Sequence, residues 1–163
     1  MEEHPSLQRA REIRDRAQAR EVQDLLSYWI AIHPGDRIPA RAAFDPMQIP
    51  RLLPNLVLTD VERDPYRFRV RLMGTGIVEA MGGDFTGRYL DEVWPGAGNQ
   101  PLVRDRVEVA ETGLPNYRYG RSPTPFKLDF AALERAFLPF AANGTDVDVI
   151  LSVIVYMRPP PET

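Results

Sequence analysis

The stretch Val147 to Tyr156 is apolar at nearly every position, with Val147, Val149, Ile150, Leu151, Val153, Ile154 and Val155. A strand of that kind hides both faces, so it predicts a central place in a sheet covered by other layers on each side. Leu56 to Val61 is nearly as apolar and is predicted to lie beside it. Tyr66 to Leu72 instead alternates, with Tyr66, Phe68, Val70 and Leu72 on one face and Arg67, Arg69 and Arg71 on the other. That strand and Asn116 to Arg121 read as charged edges. A fifth strand, Ala132 to Phe140, completes the set.

Turn residues join these strands. Arg63-Asp64-Pro65 is short enough for a hairpin between the first two, and Asn143-Gly144 predicts a tight type I′ turn between the last two. Two hairpins meeting through a central last strand give the order 2-1-5-4-3. Three helices are predicted between strands two and three: Thr75 to Met81, Tyr89 to Val93 closed by Trp94-Pro95-Gly96, and Leu102 to Thr112 ending at Gly113. The last carries Leu102, Val103, Val107 and Ala110 at helical spacing.

Before the sheet, Leu7 to His33 reads as one helix. Val22, Leu25, Leu26, Trp29 and Ile30 form its main apolar stripe, and a thinner one (Leu7, Ile13, Ala17) lies upstream. The thin stripe predicts a helix that projects beyond the domain, hence a homodimer with Leu25, Leu26 and Trp29 at the interface; the same helix could instead cap its own sheet. Prolines at 34, 39, 46, 50 and 54 mark a connector, with a short helix from Pro46 to Leu53 capped by Asp45. The resulting division is 1–33 helix, 34–157 domain, and 158–163 a loose tail around Pro159 to Pro161.

This α+β pattern, β-β-α-α-α-β-β-β in the order 2-1-5-4-3, is the topology of PAS domains. The runs RLLPNLVLTDV, FRVRLMGTGIVEAMGGDFTGRYLDEV and LERAFLPFAANGTDVDVIL resemble a bacterial family of short, stand-alone PAS-like proteins. The resemblance spans about Leu26 to Tyr156. Its most specific part is Arg71-Leu72-Met73-Gly74-Thr75 leading into Ile77, followed by Thr86-Gly87-Arg88-Tyr89-Leu90. It implies a sensory or regulatory role and leaves the ligand open. In PAS folds a cavity between the sheet and the middle helices takes a small ligand; here Phe68, Val70, Leu72, Ile77, Met81, Leu102 and Phe137 are expected to line it, or simply to fill it.

Composition removes several chemistries. The 163 residues include no cysteine, so disulfides, thiolate metal sites, Fe–S clusters and cysteine-adduct flavins are excluded. The two histidines, His4 in a loose start and His33 as a helix C-terminal cation or polar cap, lie outside the middle helices from which haem-binding PAS proteins take a ligand. Haem is therefore not expected, nor is a metal site. A net charge of −3 argues against nucleic acid as partner, although 19 of the 20 basic residues are arginines. No apolar run approaches the roughly 18–20 residues of a membrane span, and the charged start lacks a signal segment, so a cytoplasmic protein is expected.

Other candidate sites have simpler readings. Gly74-Thr75-Gly76 lacks the third glycine and the parallel strand of a nucleotide loop, and reads as a turn that uses glycine's φ freedom. No serine sits in a Gly-x-Ser-x-Gly elbow. The acidic pairs Asp91-Glu92 and Asp146/Asp148 read as solvent-facing charges. The arginine row is expected to pair with acids such as Asp60, Glu62, Glu21 or Asp24. The expected function is a non-enzymatic sensory domain acting through another signalling protein. The alternative is a small-molecule enzyme on a cone-like α+β fold, which would open with helices and continue into long strands.

Overall fold

β5 (Val149–Met157) occupies the middle of a five-stranded antiparallel sheet. It is flanked by β1 (Leu56–Glu62) and β4 (Ala132–Phe140), with β2 (Arg67–Met73) and β3 (Asn116–Gly120) outside, in the order β2-β1-β5-β4-β3. The structure, a computed structural model, describes residues 2–93, 101–120 and 132–157. Trp94-Pro95-Gly96, Arg121, Ser122 and the 158–163 tail lie outside the described residues.

Both faces of the central strands are covered, as their largely apolar residues require. Leu56, Leu58, Leu138, Phe140, Leu151 and Val153 face one core, shared with the N-terminal helices. Val57, Phe137 and Ile150 face the other, shared with α3 (Thr75–Met81), α4 (Leu90–Val93) and α5 (Pro101–Thr112). Pro139 is tolerated inside β4 because β3 pairs only as far as Phe137, so no neighbour needs the missing N–H.

The N-terminal region departs from the expected single helix. α1 (Pro5–Arg16) and α2 (Arg20–Ile32) are separate, and the break at Ala17–Ala19 contains no helix-breaking residue. Its cause lies on β4. The fully buried carboxylate of Glu134 accepts hydrogen bonds from the backbone of Gln18 and Ala19, and from the Tyr117 hydroxyl. The upstream stripe does not project. Leu7, Ala10, Ile13 and Ala17 are all buried, and Ala10, Ile13 and Ala17 belong to the same core as α2 and the sheet.

The assignment of Leu25, Leu26 and Trp29 to a dimer interface is corrected by the same packing. All three have no exposed surface in the single chain, and the Trp29 indole N–H donates to the Pro139 carbonyl at 3.2 Å. The helix caps its own sheet.

His4 is ordered as the N-cap of α1, its Nδ1 accepting from the Ser6 N–H at 3.1 Å. His33, the C-cap of α2, is a polar cap and not a cation. Its Nδ1 accepts from the Gly35 N–H at 2.9 Å, and its Nε2 lies 2.9 Å from the Ser6 hydroxyl. That pairing uses the neutral ring, and burial first, then His4, pushes its pKa from 6.5 down to about 4.

Three local turns also differ from expectation. The 46–53 helix is two 3-10 turns, Pro46–Gln48 and Pro50–Asn55, because Pro50 cannot donate to continue the first; Asp45 does cap Met47. The β4–β5 connection is a wide loop closed by the Phe140–Val149 pair. In it Asn143 accepts from the N–H groups of Thr145 and Asp146, and only Gly144 takes positive φ. Gly74 and Gly76 both lie outside the positive-φ region. Glycine is required there by proximity: a Cβ at Gly74 would lie 2.2 Å from the Leu53 carbonyl oxygen, and one at Gly76 2.9 Å from that of Pro54.

Candidate functional site

α3, α4 and α5 do not fill the space above their sheet face. Between them and the strands lies a cavity of about 80 Å³, well above the roughly 10–15 Å³ needed to admit a single water. Val70 and Phe137 contribute from the sheet, Ile77 and Met81 from α3, and Leu102 from α5, as the sequence predicts. Phe68 is buried in the same core but does not reach the cavity.

Leu72 is a correction. A bulge sets Leu58 opposite Leu72 but Thr59 opposite Val70, leaving Arg71 as the extra residue. The alternation therefore slips by one. Leu72 turns outward, 37% exposed, and Met73 takes the inward place and lines the cavity.

The polar lining was not among the predicted residues. Arg106 on α5 is 3% exposed and Arg135 on β4 is 5% exposed, and both line the cavity. Their guanidinium carbons lie 4.2 and 4.0 Å from the centre of one ring, that of Phe137, within cation–π range. Arg135 is anchored: it bonds Asp105 and, at 3.1 Å, the Asn116 side chain. Asp105 is also held by Arg118 through Nε at 2.9 Å and Nη2 at 3.2 Å. Burial pushes the Asp105 carboxyl up, but the bonds from Arg118 and Arg135 outweigh it and hold the group below its ordinary value.

Arg106 is held differently. Its Nη1 donates to the Leu102 carbonyl at 2.8 Å and its Nη2 to the Ser152 hydroxyl at 3.3 Å, while its buried Nε has no hydrogen-bond partner. Burial, then the nearby Arg135, pushes its pKa down to about 9, which leaves it charged at neutral pH. Tyr156 also lines the cavity, its phenol pushed upward by burial.

A signal for these residues exists in the sequence. Arg106 stands four residues from both Leu102 and Ala110, on the apolar stripe itself. Glu134-Arg135 is a charged pair inside a strand whose other residues are apolar.

The arginine row on β2 is a surface network. Arg67 makes a two-pronged bond to Asp91 at 2.8 and 2.9 Å, with its guanidinium over the Tyr89 ring, and Arg71 pairs with Asp60 at 3.3 Å. Glu62 accepts instead from the Tyr89 hydroxyl, and Asp24 pairs with Arg20. Gly87 and Arg88 bond the backbone of Val70, so the outer side of β2 is covered. Among the described residues no cluster of three acids or histidines is placed to hold a metal ion.

A family described as PAS domain matches residues 17–155, most of the chain. The chain belongs to the PAS domain family. Among solved structures, this PAS domain is similar to a sensory box sensor histidine kinase from Vibrio cholerae. The identity is 14%, the match covers 70% of this chain and 92% of that one, and the TM-score is 0.47. No curated protein matches the sequence. No helix among the described residues is long and apolar enough to cross a membrane. The placement of α3–α5 between the β1–β2 hairpin and the last three strands, together with the family match, sets aside the cone-like alternative.

Proposed function

We propose that this PAS domain is a sensory module that catalyses no reaction. It holds a small ligand with an apolar body between the sheet and α3–α5, and passes its state to another signalling protein by contact. The observation that supports this is the cavity itself. Protein interiors ordinarily pack to crystal-like density, so open space walled by Val70, Ile77, Met81, Leu102 and Phe137 is an apolar binding volume.

Thermal denaturation against a panel of small metabolites and short fatty acids tests the reading. A ligand at about a hundred times its Kd adds about 2.7 kcal/mol of stability, a rise of several degrees. That rise should disappear in Ile77→Phe, which fills the cavity. A panel that never raises the melting temperature of the wild-type protein would count against a ligand.

A further inference from the structure

We infer that the ligand of this cavity is an organic anion, a short apolar chain ending in a carboxylate, and that Arg106 receives its charge. The inference rests on the ligand-binding reading above and adds the chemistry of the ligand's polar end.

The charge balance around Phe137 leads to it. Arg106, Arg118 and Arg135 converge on this corner, and among the described residues Asp105 pairs with Arg118 and Arg135 only. Its oxygens are occupied by Arg118 and Arg135. Glu134, next to Arg135 in sequence, points to the opposite face of the sheet, where it binds Gln18, Ala19 and Tyr117. No carboxylate among the described residues lies within ion-pair distance of Arg106. A buried cation of this kind is costly unless it is paired.

The geometry of the other arginines shows what would pair with it. Arg67 meets Asp91, and Arg118 meets Asp105, through the same side of the guanidinium, Nε together with Nη2. That side presents two parallel N–H donors and matches the two oxygens of a carboxylate. In Arg106 the Nε is buried without a partner and Nη2 makes one long bond to Ser152. The side chain lines the cavity, whose other walls are largely apolar. A neutral apolar molecule would leave the Nε–H unmet. A carboxylate with a short hydrocarbon body satisfies the cation and the apolar walls together. The small volume excludes a large cofactor.

The experiment is calorimetric titration of the full chain with straight-chain carboxylates from butanoate to octanoate, beside the primary amide of each. The amides match the acids in shape and lack the charge. The expected result is that the best carboxylate binds at least about tenfold tighter than its amide. In Arg106→Met, which keeps the volume and removes the charge, that preference should vanish while the amide still binds. Equal binding of acid and amide to the wild-type protein overturns the inference and leaves the ligand-binding reading standing, as does a preference that survives in Arg106→Met. Binding of neither series to the wild-type protein overturns the inference, and the ligand-binding reading falls with it only when the wider metabolite panel also leaves the melting temperature unchanged. The wild-type comparison of acid and amide decides the matter even if Arg106→Met does not fold.

Discussion

The carboxylate of Glu134 accepts a hydrogen bond of 2.9 Å from the backbone N–H of Ala19, across 115 residues of sequence. It takes up donors that the broken helix would otherwise leave unpaired in a buried place. Glu134→Ala should therefore cost on the order of 2–4 kcal/mol, since it strands two N–H groups and the Tyr117 hydroxyl. Urea denaturation checks this through a lower midpoint at an unchanged slope.

The bulge at Arg71 gives a paired prediction. Leu72→Ser should change stability by less than about 1 kcal/mol, because the side chain already meets solvent. Met73→Ser should cost about 1–2 kcal/mol more, as it removes a cavity wall. Equal effects in thermal melts would contradict the slipped register.

His33 makes stability depend on pH. Its folded pKa, about 4, lies below the ordinary 6.5, so the unfolded chain takes up the proton first as pH falls. Its neutral-state contribution is whole above about pH 6.5 and is lost between there and about pH 4. The ring is partly solvated, so the loss should be about 1–2 kcal/mol. His33→Asn keeps an acceptor for the Gly35 N–H and should flatten this part of the profile, measured by denaturation at intervals from pH 7 to 4.

Trp29→Phe keeps most of the ring but leaves the Pro139 carbonyl without its donor. A loss of about 1–3 kcal/mol is expected. Sedimentation at micromolar concentration should give the same mass for variant and wild type, because Trp29 offers no surface to a second copy. A changed mass would return α2 to an interface.

The sheet was legible because burial of a strand is written in its own residues. The apolarity of Val149 to Val155, interrupted only by Ser152, and the alternation in Arg67 to Val70 fix which strand is central and which is outside. The cavity walls Val70, Ile77, Met81, Leu102 and Phe137 followed from the same periodicity. What was illegible depends on partners far along the chain. Nothing in Ala17-Gln18-Ala19 ends a helix; Glu134 does, from β4. Nothing in Arg71-Leu72-Met73 announces a bulge, so a period of two carried one residue too far placed Leu72 inside. Arg106 was hidden by its type, since an arginine on a helix reads as surface until the helix is known to press that face against a sheet.

The close approach at Gly74 and Gly76 has a mechanical consequence. The first turn of α3 rests backbone to backbone on the Leu53–Pro54 turn, and the Gly74 N–H bonds the Leu56 carbonyl where β1 begins. With no side chain between them, that wall has nothing to compress. α5 meets the sheet through side chains, Arg106 and Val109 among them. A guest slightly too long for the chamber would therefore push against a fixed jaw and move the other one. The moving jaw carries the guanidinium, so grip and displacement would belong to a single lever.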